Sequence, residues 1–470
     1  MKIKTLIIAL LFLPFGSFAD DGDQILSLEE FILMVMESHP IAQQTRLIRY
    51  RGELSEREGR GGFDPKLVSN YETKDYKDTD YYQLWDSYLQ IPTITGIEIK
   101  AGYEVNDGVF LNPENSVPSN GLYYAGLSVP LGRGFFLNNP EKINLEKSKL
   151  KNLDLQNQSI IVLNNLLLDA NQQYWNWYAS MERLELAREN IEVIQERFDG
   201  IRQAVLNGEN ASIDSIETLI QVQLFGNMLR KAEVDYQNSL LRLSNFLWEN
   251  DSINYAWTPD FPLNPSSPQL DQLISFASEN HPELRSLSID NSVLDLERKW
   301  NAEQLKPLLN LNYNFLVEPN GEGSEGNLST NNYKGGVEFQ FPLFIRKERA
   351  KLKLTKTKID ENQLKLKQKM RELSNKIEQN YNKLLVIERM IYEQEQIVNN
   401  YQTLLEGEQT KFDNGESSVF LINSRENQKI KAEQKLIDLK ASYGMTLGLL
   451  DWSSGKLAYE MDKLFALEDR

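Results

Sequence analysis

The 470-residue chain contains no cysteine. No disulfide can staple it in an oxidising compartment, no lipid can be carried on an N-terminal thiol, and thiol catalysis and Cys-based metal sites are excluded. Histidine is nearly absent too, with His39 and His281 alone. After the first fifteen residues, no apolar run reaches the ~20 residues that a membrane-crossing helix needs. Positive charge is in deficit. The 51 Lys and Arg against 68 Asp and Glu leave a formal net charge of −17, which argues against nucleic acid as a partner held on a basic face. Glycine and proline are missing from two long stretches, Glu141 to Asp199 and Leu343 to Glu406.

What is present begins with a secretory pattern. Lys2 and Lys4 precede an apolar run from Leu6 to Phe15, and Ser17-Phe18-Ala19 follows as a small-x-small cleavage site. Residues 1–19 are therefore predicted to be a signal peptide, with the mature chain starting at Asp20.

The two histidines mark a duplication. His39 sits in Glu37-Ser38-His39-Pro40 and His281 in Glu279-Asn280-His281-Pro282, an offset of 242 residues. The same offset pairs Leu28 with Leu270, Pro65 with Pro307 and Tyr71 with Tyr313. Further on, Asn207-Gly208-Glu209 matches Asn414-Gly415-Glu416 at an offset of 207, because the first copy carries extra residues between about 75 and 122. A repeat of this length makes the architecture tandem. The expected organisation is a first repeat over 20–250, a linker over 251–268, a second repeat over 269–451 and a tail over 452–470. Histidine in each copy invites a metal or acid–base reading. The plainer reading is a helix junction used twice: Pro40 and Pro282 suit a first helical turn, and Ser38 or Asn280 lies close enough to cap it.

Each glycine-free stretch could run about 90 Å as helix. In the first copy Leu163, Ala170, Trp177, Leu184, Ile191, Phe198 and Val205 recur every seventh residue, beside a second seam of Leu153, Ile160, Leu167, Tyr174 and Met181. In the second, Met370, Ile377, Leu384, Ile391, Val398 and Leu405 do the same. That period predicts coiled-coil packing. Both patterns stop at Gly208 or Gly415 and resume, so each copy is expected to be a long helical hairpin, over about 141–250 and 343–450, with glycine ending the first helix at the tip.

Short alternating runs lie between the helices. Leu309, Leu311, Tyr313 and Phe315 alternate with Asn310, Asn312 and Asn314, and Val337, Phe339 and Phe341 alternate with Gly336, Glu338 and Gln340. The first copy has Leu67, Ser69 and Tyr71, then Leu127, Val129 and Leu131. Lipid on one face and water on the other would produce this pattern in a membrane barrel; a half-buried soluble hairpin would produce it as well. Barrel strands are expected at about 65–131 and 308–342. Two strands per copy give four per chain, too few to close a barrel, so three chains would give twelve. A third run, Ile97 to Val105, lies in the insert, where it either lengthens the barrel strands or forms an extra hairpin at the outer surface.

The duplicated order (junction, helix, strand pair, coiled-coil hairpin) resembles the outer-membrane efflux protein family, the TolC-like channels. Ala277 to Leu284 is similar to the family's junction, and Val129-Pro130-Leu131-Gly132-Arg133-Gly134 and Phe341-Pro342-Leu343 resemble its strand-to-helix exits. The resemblance covers nearly all of the mature chain. It implies a mainly α fold with a membrane β-barrel portion, in which a homotrimer forms a 12-stranded barrel in outer-membrane lipid and an α-helical periplasmic tunnel. It also implies a passive conduit in a Gram-negative cell, serving tripartite efflux or type I secretion, with a periplasmic adaptor and an inner-membrane transporter as partners.

In that family Asp residues just past a hairpin tip often ring the periplasmic entrance. The matching positions of the second copy are Leu421 and Ser424, so no acidic ring is carried over there; those of the first are Asp214 and Glu217. These two are the candidate entrance residues, though acids also suit any helix start. The tips, Asn207, Gly208, Glu209, Asn414, Gly415 and Glu416, are the candidate adaptor contact, with Asn-Gly in place of the family's hydrophobic-Gly pair. The sequence nominates no nucleophile–base pair and no cofactor, so an enzyme is not expected. A secreted or surface-attached coiled-coil adhesin would explain the heptads and the leader, but not strand pairs interrupting the helices twice.

Overall fold

A computed structural model describes residues 24–135, 138–248, 257–259, 269–319, 331–457 and 459. The expected signal peptide lies outside the described residues, as do most of the linker and the end of the tail. In chain order the elements are β1 (Gln24–Leu26), α1 (Leu28–Ser38), α2 (Pro40–Arg60), β2 (Lys66–Asp75), β3 (Asp80–Pro92), β4 (Glu98–Asp107), β5 (Leu122–Pro130), α3 (Pro140–Leu206) and α4 (Ser212–Ser244). The second copy follows as β6 (Trp257–Pro259), α5 (Leu270–Asn280), α6 (Pro282–Glu303), β7 (Leu308–Val317), β8 (Tyr333–Gln340), α7 (Arg346–Asp413) and α8 (Val419–Ser454). The repeat is visible element by element. α1 and α5 have 11 residues each, α2 and α6 have 21 and 22, and α3 and α7 have 67 and 68. At 1.5 Å per residue, α3 and α7 each run about 100 Å.

The chain divides into two compact units, with α3, α7 and α8 contributing to both. Among the described residues, one unit comprises 24–36, 171–248, 257–259 and 391–441. Its core gathers aromatic rings from α1, α3 and the turn after α4: Phe31 lies 5.9 Å from Tyr174 and 6.3 Å from Phe246, and Tyr174 lies 5.6 Å from Trp177. The Tyr174 hydroxyl, buried, donates to the Leu26 carbonyl at 2.8 Å, which ties β1 to α3. Farther along, Ile194, Phe225 and Ile430 join α3, α4 and α8 in one cluster.

The heptad seam of α3 is only partly as expected. Leu163, Ala170, Trp177 and Leu184 are buried, but the seam then moves to Ala187, Ile194 and Ile201, leaving Ile191 and Phe198 half-buried. An α-helix has 3.6 residues per turn, so a seven-residue seam drifts by about 20° per heptad. That drift would be offset by a step of four residues, whereas the step from Leu184 to Ala187 is three, onto a row in which Leu166 and Ser180 are already buried.

The other unit comprises, among the described residues, 37–135, 138–170, 269–319, 331–390, 442–457 and 459. It contains a six-stranded antiparallel sheet in the order β2-β3-β4-β5-β7-β8. The expectation of four strands per chain, and hence twelve in three chains, is therefore corrected. The insert is a hairpin, β3–β4, seated inside the sheet between β2 and β5, and not at its outer surface. The signal was there in Tyr82, Leu84 and the residues up to Leu89, but apolar residues fall on both faces of β3 and blur its alternation.

Two rows define the faces of the sheet. Leu67, Leu89, Ala101, Ala125, Phe315 and Tyr333 stand opposite one another across all six strands; the row beside it reads Lys66, Gln90, Lys100, Gly126, Asn314 and Lys334. Every large apolar residue exposed within these strands lies on the first face, among them Leu67, Trp85, Ile99, Leu127, Leu311 and Phe339. The polar face is concave. Lys334 Nζ on β8 comes within 3.7 Å of Glu104 on β4, three strand positions away, or about 14 Å if the sheet were flat. Gly126 fits this crowding, since a Cβ there would run into the Asn314 side chain and the Tyr313 carbonyl.

The inserted hairpin is anchored where the sheet meets α3. Asn139, buried, donates from Nδ2 to the Ile94 carbonyl in the β3–β4 turn at 2.7 Å, and its Oδ1 accepts from the Lys142 backbone N–H at 2.8 Å, capping α3. Gly96 at that turn has φ +82° and packs on the Gly134 carbonyl. Asn139→Ala loses the cap and the turn contact together. It is expected to cost about 2 kcal/mol, read as a lower denaturant midpoint.

Candidate functional site

The sequence-predicted residues fall into three groups. The first is the junction. His39 and His281 are N-caps of α2 and α6, each with extended backbone followed by proline at the first helical position. The imidazole does the capping itself. Nδ1 of His39 accepts from the Ile41 N–H at 3.1 Å, and Nδ1 of His281 from the Glu283 N–H at 3.2 Å. This corrects the assignment of the cap to Ser38 or Asn280, whose side chains precede the position that faces the free N–H groups. It supports the structural reading of the histidines. Among the described residues no group of three or more His, Asp or Glu is placed to hold a metal. Around the second junction, Asn157 on α3 donates to the Pro282 carbonyl at 2.5 Å and to Ser286 at 2.8 Å, and Gly455 packs against His281 and Pro282.

Capping through Nδ1 needs a neutral ring. Burial pushes His281 down to about 4; Glu283 opposes the shift, and Lys369 and Lys376 reinforce it. An unfolded chain takes up this proton near pH 6.5. As pH falls from 6.5 towards 4 the unfolded state is favoured, and stability present at neutral pH is lost. The loss is expected to reach up to about 3 kcal/mol. Urea denaturation of wild type and His281→Asn at pH 7 and pH 4.5 should show the smaller pH dependence in the variant.

The second group is the hairpin tips. Gly208 and Gly415 have φ +77° and +78°, the left-handed backbone that ends a helix. The hydrogen bonding is the same in both copies: Glu209 N–H reaches back to the Ala204 carbonyl at 2.9 Å, and Glu416 N–H to the Lys411 carbonyl at 2.8 Å. Asn207, Gly208 and Glu209 and their counterparts Asn414, Gly415 and Glu416 thus form two copies of one tight closure. Nothing lies within 4 Å of a Cβ built on either glycine, so the tips present open backbone.

The third group is the candidate entrance. Asp214 and Glu217 lie three apart on the first turns of α4, on one face, both half-buried. The Asp214 carbonyl accepts from the Thr218 hydroxyl at 2.9 Å. Among the described residues neither carboxylate is paired with a cation. Leu421 and Ser424, the matching positions on α8, are exposed and half-buried.

Close to both tips lies a feature that the sequence reading missed. Arg197 on α3 forms a bidentate ion pair with Glu426 on α8, at 2.6 and 2.8 Å, and also approaches Asn423 Oδ1 at 3.4 Å. The Glu426 side chain is 5% exposed. Each residue is eleven positions from its tip glycine, so the pair joins the two hairpins at one level. The signal was a charge inside an apolar row, since Glu426 sits between Ile422 and Ile430, four residues either way. Arg183 and Asp438 make a second, exposed bridge between the same helices.

Among the described residues no helix is long and apolar enough to cross a membrane. The sheet carries the exposed apolar face, and its two outer edges, on β2 and β8, have no strand partner among the described residues. A sheet apolar on one face and polar on the other has the pattern of a membrane barrel wall, with lipid on one side and water on the other. Residues 273–448 match the outer membrane efflux protein family model. Over that stretch the chain is similar to the outer membrane efflux proteins. No curated protein matches it by sequence. Among solved structures it resembles a membrane protein from Pseudomonas aeruginosa, at TM-score 0.65 and 14% identity, covering 91% of this chain and 92% of that one. It also resembles the Campylobacter jejuni CmeC outer membrane channel, at 0.65 and 12%, covering 91% and 85%. A third is the open state of the Neisseria gonorrhoeae MtrE outer membrane channel, at 0.63 and 11%, covering 94% and 93%. At these identities the likeness establishes the fold alone, the one that these outer membrane proteins share.

Removing one partner of a buried ion pair strands the other charge. Arg197→Ala is expected to destabilise the helical unit by about 3–5 kcal/mol, and the double apolar replacement Arg197→Met/Glu426→Leu to recover most of it, both read by chemical denaturation.

Proposed function

We propose that three copies of this chain form a passive outer-membrane conduit that receives cargo from a periplasmic adaptor and an inner-membrane transporter, in tripartite efflux or type I secretion. The observation that carries this reading is the sheet: apolar on one face across every strand, polar on the other, and open at both edges among the described residues. Open edges in hydrocarbon leave N–H and C=O groups without partners, which lipid cannot supply. Strand addition by another copy satisfies them. The location that follows is the outer membrane, with the helices in the periplasm. A conduit needs no catalytic residue, and none is assigned.

The tips at Gly208 and Gly415 are the surface offered to the adaptor, and Asp214 and Glu217 the acidic lining of the periplasmic mouth. Three chains would bring six such carboxylates to one opening, where a ring of like charge concentrates cations. The Arg197–Glu426 pair holds the two hairpins together near that mouth.

Purified protein in a planar bilayer is expected to give discrete conductance steps with cation preference, and Asp214→Asn/Glu217→Gln to weaken that preference. Steps unchanged by the substitution would return both residues to ordinary helix-start acids. No steps from folded protein would remove the conduit reading.

A further inference from the structure

The inserted hairpin β3–β4 changes what the barrel can be. The sheet has six strands in one continuous ladder, with β3 paired to β2 over ten residue pairs and to β4 over ten more. β4 continues onto β5 over seven. The hairpin is part of the wall. Its residues keep the facing of their neighbours: Trp85, Leu89 and Ile99 lie on the apolar face and are exposed, while Asp86, Gln90 and Lys100 lie on the concave polar face.

The polar side of the hairpin is knitted into that of the rest. Tyr124 on β5 donates to Asp86 on β3 at 2.7 Å, Gln90 donates to Glu98 at 2.8 Å, and Tyr82 donates to Glu72 on β2 at 2.8 Å. The first of these crosses β4, which a hairpin folded away from the sheet could not do. The strands of the sheet are 8 to 13 residues long, and β3 and β4, at 13 and 10, are long enough to cross a bilayer at a tilt.

The strand number also fits closure. With six strands per chain, an even number, β2 and β8 run in opposite directions. The free edge of β8 can therefore pair antiparallel with the free edge of β2 on the next copy, so every junction around the ring is of the same kind as those within the chain.

Resting on the trimeric conduit proposed above, we infer that the closed barrel has eighteen strands, six from each chain, and that the inserted hairpin sets its width. Barrel diameter grows roughly linearly with strand number, and walls of 16–18 strands enclose an open aqueous channel. Relative to four strands per chain, the lumen is about one and a half times as wide. Its lining gains Asp86, Gln90, Glu98, Lys100 and Glu104, a mixed-charge surface suited to large hydrated cargo. The outer mouth is then not the narrow point of the path, and selection by size belongs to the periplasmic end.

The test images the full-length wild-type assembly in lipid nanodiscs by electron cryomicroscopy and counts strands in the wall. Eighteen strands, with β8 of one copy beside β2 of the next, is the expected result. A trimer whose closed wall omits β3–β4 would overturn the inference and leave the conduit standing. An assembly with no closed wall would overturn both. A second measurement does not depend on imaging. Leu89→Arg places a charge on the lipid side of the hairpin, while Gln90→Arg places it on the lumen side beside Glu98. If the hairpin is wall, Leu89→Arg lowers the amount of trimer recovered in the membrane at least about tenfold and Gln90→Arg does not. Equal recovery of the two variants would place the hairpin outside the barrel.

Discussion

Backbone hydrogen bonding in hydrocarbon is the constraint on which the rest of this molecule depends. A sheet that is apolar on one face and polar on the other suits a boundary between lipid and water, yet its first and last strands have no outer strand partner among the described residues. In water such an edge is an aggregation hazard to be blunted; in lipid it must be paired. Neither β2 nor β8 carries a proline within its span to blunt it. In the proposed conduit a ring of copies satisfies both edges by the same physics that pairs the strands within the chain.

The helical portion solves a different problem. Besides their apolar seams, the helices of 67 and 68 residues carry much Glu, Lys, Gln and Asn. Side-chain amides bridge the helices. Asn157 bonds the start of α6, Asn362 donates to the Leu287 carbonyl at 2.9 Å, and Gln394 donates to the Ala432 carbonyl at 2.9 Å. Such bonds contribute modestly when made and cost more when broken, so they specify register more than they add stability. The bidentate Arg197–Glu426 pair is the strongest case. Its desolvation cost offsets much of its attraction, and what it secures is the alignment of one hairpin with the other.

The histidine junction shows how local chemistry was legible only in part. The matched His-Pro words and the plainer reading of them were visible from spacing alone. That the imidazole supplies the cap, in place of Ser38 or Asn280, depends on extended backbone at His39 and His281 turning Nδ1 towards the second helical amide. Residue type could not reveal this, because serine and asparagine are the better caps on average. The seam of α3 was likewise legible as far as Leu184. Beyond that, packing against α4 and α8 decided which row is buried, with Ile194 meeting Phe225 and Ile430.

Periodicity and repetition were enough to establish the duplication, the two long hairpins, their glycine tips and the existence of strands between them, because helix and strand periods and left-handed glycines are properties of a few neighbouring residues. The count of strands in the wall was decided only by tertiary structure. Whether Ile97 to Val105 lies beside the sheet or within it turns on hydrogen bonds between segments far apart in sequence, such as Tyr124 to Asp86. The Arg197–Glu426 contact, between residues 229 apart, was decided the same way. A side chain's partner across such a distance is set by how the helices pack, and no local pattern records it.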